Sequence, residues 1–139
     1  MDWKGTEIRA RAPRRGLHDI TSLVKAEVTR FGMREGMVFL FLKHTGASLC
    51  ISENYDPTAK RDLEAFLDRI APDGEPWHAH TIEGDDDSSA HMKSILTGVN
   101  LSIPVAEGDL MLGTWQGIYL CEHRKHPEER RILLRGLIA

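Results

Sequence analysis

The chain has 139 residues, 41% hydrophobic and 28% charged, with a formal net charge of −3. Chains of about 100 to 200 residues usually bury one core, so a single domain over 1–139 is expected. The mild acidic balance excludes the electrostatic footprint of a general nucleic-acid or anionic-membrane binder, and no run of about 20 apolar residues offers a membrane span.

Residues 3–10 read as an opening strand, and Ala12-Pro13-Arg14-Arg15-Gly16 as the loop that ends it. Ile20, Leu23, Val24, Val28 and Phe31 recur at helical spacing up to Gly32, which predicts an amphipathic helix. The most apolar run follows at 37–42. Strict alternation puts Val38, Leu40, Leu42 and His44 on one face and Met37, Phe39, Phe41 and Lys43 on the other, so His44 ends a buried row. Being apolar on both faces, this strand is expected at the centre of a sheet, with residues 47–53 returning beside it. Asp56-Pro57 starts a second helix, the Asp supplying the cap oxygen and the Pro the pre-set first turn. Its buried stripe is Leu63, Phe66, Leu67 and Ile70, and Pro72-Asp73-Gly74 ends it.

Residues 77–91 are polar and hold three histidines, His78, His80 and His91, together with Asp85, Asp86 and Asp87. An acidic loop that merely solvates has no use for those imidazoles, although an Asp run before a helix also serves as a cap. A short third helix is expected over 88–96, stopped by Gly98, with Asp87 and His91 four apart on one face. Strands at 101–105, 109–114, 117–123 and 130–138 complete the pattern. The order β, α, β, β, α, α and four more strands predicts an α+β domain with a mostly antiparallel sheet and two to three helices.

Cys50 and Cys121 belong to no paired-cysteine motif and read as inert core thiols in a reduced compartment. The N-terminus lacks the apolar stretch of a signal peptide, and the cytoplasm is the expected location. Imidazoles from separate elements, His44, His80 and His91, are candidates for a metal site completed by a carboxylate or water. Each taken alone reads first as a structural or surface residue. His18, His123 and His126 are left outside the site. Gly113-Thr114-Trp115-Gln116-Gly117 is a second candidate: an indole face stacks on a ring and a Gln amide reads a polar edge, against the plainer reading of a hairpin with a core tryptophan. No phosphate-binding glycine loop or nucleophile-elbow serine is present, and Ser48, near His44 in sequence, has no evident third member of a triad.

His44-Thr45-Gly46-Ala47-Ser48-Leu49, Glu53-Asn54 with Asp56-Pro57, Glu83-Gly84 with Asp86-Asp87 and His91-x-Lys93-Ser94, Ile103-Pro104-Val105, and Gly113-Thr114-Trp115-Gln116 with Glu122-His123-Arg124 together resemble the YjbQ family, known as secondary thiamine-phosphate synthases. The resemblance covers nearly the whole chain. It implies a YjbQ-type fold, a homotrimer, and a weak transferase activity joining a pyrimidine pyrophosphate to a thiazole phosphate. Carried over by position, it implies His44, His91, Asp87 and Glu122 as catalytic groups. It implies His44, His80 and His91 as ligands of a divalent metal, zinc or magnesium. For the phosphorylated small-molecule substrate it implies Asn54, Asp86, Lys93, Trp115, Gln116 and Arg124. The family usually has serine where this chain has Gly46, and His78 has no clear counterpart. Another metal-dependent small-molecule enzyme at the same site, hydrolase or transferase, and a non-catalytic ligand-binding trimer stay open beside the synthase.

Overall fold

A computed structural model describes all 139 residues. Two antiparallel sheets face each other. β1 (Asp2–Ala10), β8 (Arg130–Ile138), β3 (Gly36–Leu42), β5 (Asn100–Ala106) and β6 (Asp109–Leu110) form one in the order β1-β8-β3-β5-β6, and β2 (Gly16–Asp19), β7 (Gln116–Glu122) and β4 (Ala47–Glu53) form the other in the order β2-β7-β4. The helices are α1 (Thr21–Arg30), α2 (Pro57–Ile70) and α3 (Asp87–Thr97).

The alternation predicted for 37–44 holds on one face: Val38, Leu40 and Leu42 are buried, joined by Ile8, Ile103, Ile132 and Leu134 of the same sheet. Ala47, Leu49, Ile118 and Leu120 close this core from the three-stranded sheet, with Ile20, Val24 and Val28 of the α1 region. On the other face, Phe39 and Phe41 are exposed. β3 is central, between β8 and β5, but β4 does not return beside it. The turn at 43–46 carries the chain into the other sheet, where β4 pairs with β7 from Ala47↔Glu122 to Glu53↔Gln116. Apolar residues on both strands satisfied the pattern of a hairpin, and the same pattern serves equally well for two strands packed face to face.

Three further differences follow from local chemistry. Residues 16–19, where only Gly16 is expected to belong to a loop and no strand is expected, form β2, a short edge strand on β7. The strand expected over 109–114 stops after Leu110, because the chain then leaves the first sheet to enter β7 in the second. α3 starts at Asp87, one residue earlier than expected, with Asp86 at the cap position. α2 begins as predicted, Asp56 Oδ1 accepting the Thr58 N–H at 2.9 Å with Pro57 in the first turn.

The outer face of the three-stranded sheet is covered in turn. Tyr119 and Cys121 pack with Leu17 against Leu67 of α2, and α3 lies along β4. β7 therefore sends Ile118, Leu120 and Glu122 between the sheets and Tyr119, Cys121 and His123 toward the helices.

Candidate functional site

The first turn of α3 and the loop before it meet the ends of β3 and β8. A cavity of about 790 Å³ opens there, lined by His44, Thr45, Asp87, His91, Arg124 and Arg130 among others. Asp87 and His91 project from one side of α3 because they are four residues apart. His80 reaches the same point from the preceding loop, its Nε2 2.7 Å from Asp87 Oδ2, and His91 Nε2 lies 3.2 Å from that same oxygen. The ligand atoms of His80, Asp87 and His91 all lie within 4.8 Å of one another.

The hydrogen bonds around this triplet orient it. His91 Nδ1 lies 2.8 Å from the Thr45 carbonyl oxygen, which can only accept, so Nδ1 carries the proton. Without a second proton, His91 would turn a lone pair on Nε2 toward the Asp87 carboxylate. Two acceptors facing each other call for a proton or a cation between them, and an imidazole whose far nitrogen donates to a carbonyl is the usual arrangement of a metal-bound histidine. Asp87 Oδ1 meanwhile accepts from Arg124 Nη1 at 2.8 Å, which leaves Oδ2 as the oxygen directed at both imidazoles. Burial works to raise the Asp87 pKa, but the His80 bond and the charges of His91 and Arg124 outweigh it and hold the carboxyl below its ordinary range. Two imidazole nitrogens and one carboxylate oxygen fit zinc or a similar transition metal; magnesium, which takes oxygen ligands, fits poorly.

Arg124 holds the loop in place. Its Nε donates to Asp86 Oδ2 at 3.1 Å and its Nη2 to the Glu83 carbonyl at 2.8 Å, so the loop is tied to the end of β7. Asp86 is a brace of the same structure. Burial alone would raise its pKa, but Arg124 and the Lys125 N–H bring it down to about 2.

The other residues expected in the site are distributed differently. His44 lines the cavity but stands outside the triplet. Its Nε2 accepts the Arg131 N–H at 2.8 Å, and burial followed by the Arg130 charge lowers its pKa, which keeps the ring neutral with that nitrogen engaged. Glu122 is fully buried at the end of the Ile118-Leu120 row, gripped by Arg130 through Nη2 at 2.7 Å and Nε at 2.9 Å. It anchors Arg130 and does not line this cleft. Lys93 is buried on the opposite side of β7, its ammonium 2.7 Å from Asp68. Asn54, Trp115 and Gln116 sit at the far end of the β4–β7 pair, six residues of β7 from Glu122, which is roughly 20 Å of extended strand. Trp115 is no core residue: it is exposed, edge-on to Tyr55 with ring centroids 5.0 Å apart. Gln116 Oε1 accepts the Gly113 N–H at 2.8 Å. Gly46 lies against Arg124 and Arg130, and a Cβ there would come within 3.2 Å of Arg124 Cγ.

Sequence reasoning passed over His123. It is buried, its Nε2 2.8 Å from Ser48 Oγ, and Ser48 in turn contacts Thr97 Oγ1. Ser48 thus partners His123 and not His44. The available signal was the alternation of 117–123, which places residue 123 on the same side as Tyr119 and Cys121.

The fold and cavity define a small two-sheet α+β domain with a mixed histidine-carboxylate cluster at an open polar cleft. The chain belongs to the family described as UPF0047 protein YjbQ-like, which matches residues 6–137. It is 40% identical over 134 residues to the UPF0047 protein YjbQ of Escherichia coli O157:H7, covering 94% of this chain and 95% of that one. It is also 40% identical over 120 residues to a UPF0047 protein of Synechocystis, covering 86% and 82%. Among solved structures, a conserved hypothetical protein from Thermus thermophilus superposes with a TM-score of 0.86 at 36% identity, covering 95% and 99%. A YbjQ-like protein of unknown function from Sulfolobus solfataricus superposes with a TM-score of 0.89 at 26% identity, covering 99% of each chain. No helix here is long and apolar enough to cross a membrane.

Proposed function

We propose that the chain is a metal-dependent enzyme acting on a phosphorylated small molecule in the cleft beside His80, Asp87 and His91. The observation that carries this reading is the convergence of His80 Nε2, His91 Nε2 and Asp87 Oδ2 within 4.8 Å, with the His91 tautomer oriented by Thr45. A bound transition metal would supply Lewis-acid stabilisation of charge on a phosphate oxygen. Lys43, Arg124 and Arg130 line the same cleft with Asp87 and Glu128, a net positive lining that favours an anionic substrate.

Thiamine-phosphate formation is the specific reaction proposed. Pyrophosphate leaves the pyrimidine methyl carbon and the thiazole nitrogen attacks it, so the protein's task is to neutralise the leaving group and align two rings. A homotrimer in the cytoplasm completes the proposal. The exposed Trp3, Phe39 and Phe41 of the five-stranded sheet supply apolar surface for association, to be checked by sedimentation. One observation favours a different reaction at the same centre: Trp115, the expected stacking group, is remote from the cleft within one chain.

The test is thiamine-phosphate formation by purified protein from the two phosphorylated precursors, with zinc and with magnesium, beside a His91→Ala control. Turnover with zinc that the variant lacks supports the synthase. A folded, zinc-loaded wild type without turnover refutes it and moves the search to other phosphorylated substrates.

A further inference from the structure

On the helix-covered side of the three-stranded sheet lies a second cavity of about 150 Å³, between the start of β2, α2, α3 and the end of β7. It is enough for roughly five waters at about 30 Å³ each, or for one small ion. Arg14, Arg15, Glu64, Asp68, Lys93, Glu122 and His123 supply its polar lining. We propose that this cavity binds a small oxyanion through the Lys93 ammonium, with the His123 imidazole as its second contact.

Most of the charged groups in the lining are already satisfied. Arg14 is paired with Glu64 through both terminal nitrogens, at 3.0 and 3.2 Å, and Glu64 also accepts the Leu17 N–H. Arg15 commits its Nε to the His123 carbonyl and its two terminal nitrogens to Asp73. Glu122 is held by Arg130 and by the N–H groups of Arg124 and Glu128. Lys93 is the exception. Its side chain is 2% exposed, yet its ammonium, which carries three donors, has one partner, Asp68 Oδ1. Two N–H groups of a buried cation are left for something that accepts.

His123 offers the complementary feature. Its Nε2 is engaged by Ser48, and its Nδ1 has no hydrogen-bond partner. His123 is among the residues that line the cavity, and Nδ1 is the ring atom that no protein group engages. Thr97, Ser48 and His123 form a chain of hydroxyls and imidazole. When Ser48 donates to Nε2, Nδ1 bears the proton and becomes a donor. Burial first, then the positive charges of Lys93, Arg15 and Arg130, press the His123 pKa down to about 3. The cations and carboxylates of the lining balance, so the preference for an anion comes from donors that no protein group has taken.

The proposal is independent of the metal-centre reading, because the second cavity is walled off by β7 and none of His80, Asp87 or His91 lines it. The experiment is a titration of the full-length protein with orthophosphate at constant ionic strength in chloride, following imidazole ¹⁵N shifts by NMR, with acetate as a carboxylate arm. The expected result is a saturable shift of His123 in at least one arm. Lys93→Met should weaken that binding by roughly 10- to 100-fold, the loss of a hydrogen bond to a charged donor. Asp68→Asn removes the competing carboxylate from an exposed position and should strengthen it. Arg124→Leu, at the other cleft, should leave it unchanged. The proposal is overturned by a folded wild type whose His123 signals do not move saturably in either arm. It is equally overturned if Asp68→Asn fails to tighten binding, or if the His123 response follows Arg124→Leu instead of the cavity variants.

Discussion

Replacing Arg130 by Met should destabilise the domain severely, because Arg130 is the cation that neutralises a carboxylate sealed between two sheets. Glu122 is 0% exposed and the Arg130 side chain 4%, and two hydrogen bonds of 2.7 and 2.9 Å join them. Removing one partner of such a pair leaves a buried charge uncompensated, which costs about 3–5 kcal/mol. For a domain whose total stability is about 5–15 kcal/mol, this is a large fraction. The double variant Glu122→Leu/Arg130→Met loses the charge with its partner. It gives up the acceptors for the Arg124 and Glu128 N–H groups, about 1 kcal/mol each, and gains apolar packing against the Leu120 row. It should therefore recover most of the loss, with a coupling energy of about 2–3 kcal/mol between the two sites. Urea unfolding at pH 7 of the wild type, both single variants and the double variant measures that coupling. A loss below about 1 kcal/mol for Arg130→Met would refute the reasoning, since water would then be reaching Glu122 and screening its charge.

Zinc at one hundred times its dissociation constant should stabilise the protein by about 2.7 kcal/mol, seen as a rise in Tm that His80→Ala or Asp87→Ala abolishes; equal melting curves with zinc and with chelator would count against a metal site there. Acid should weaken the fold through His123. Its folded pKa of about 3 lies below the unfolded value of about 6.5, so the unfolded chain takes the proton first and stability falls as pH drops through that window. The contribution is at most about 5 kcal/mol, and His123→Gln, which keeps an acceptor for Ser48, should flatten the pH dependence measured by urea unfolding. Asp68, Lys93, Arg15 and Arg130 face this ring and set the shift together with its burial. Asp56→Ala should cost about 1 kcal/mol of stability by removing the acceptor for the Thr58 N–H, with oxyanion binding in the second cavity unaffected.

Much of the fold was legible because periodicity is a local property. The α1 spacing, the Asp56-Pro57 start and the alternating burial of Val38, Leu40 and Leu42 are each written within a few residues. The partner of a strand is not. Residues 47–53 are apolar enough to lie beside β3, and only the whole set of strands decides that they pair with β7 in the opposite sheet. The site divides in the same way. Asp87 and His91 share a helix face through their spacing, whereas His80 joins them only because Arg124 pins the intervening loop with three side-chain nitrogens. Lys93 lies two residues beyond His91, and the helical turn of roughly 100° per residue sends it into another cavity.

That division bears on what the cleft can do. Two motifs of the same chain, His91 with Asp87 and Trp115 with Gln116, lie toward opposite ends of the β4–β7 pair, whose end residues Glu122 and Gln116 are about 20 Å apart by strand rise. A reaction that needs the indole to stack on a ring at the metal centre cannot draw both from one chain. The cleft's own apolar lining, Phe41, Leu42, Ile95 and Val99, then has to hold any ring that reacts there. Trp115→Ala separates the two cases. If thiamine-phosphate formation by the wild type survives the substitution, ring binding belongs to the local lining. If turnover falls while zinc binding at His80, Asp87 and His91 is retained, the indole must reach the centre from a second copy of the chain, and activity should then depend on protein concentration through assembly.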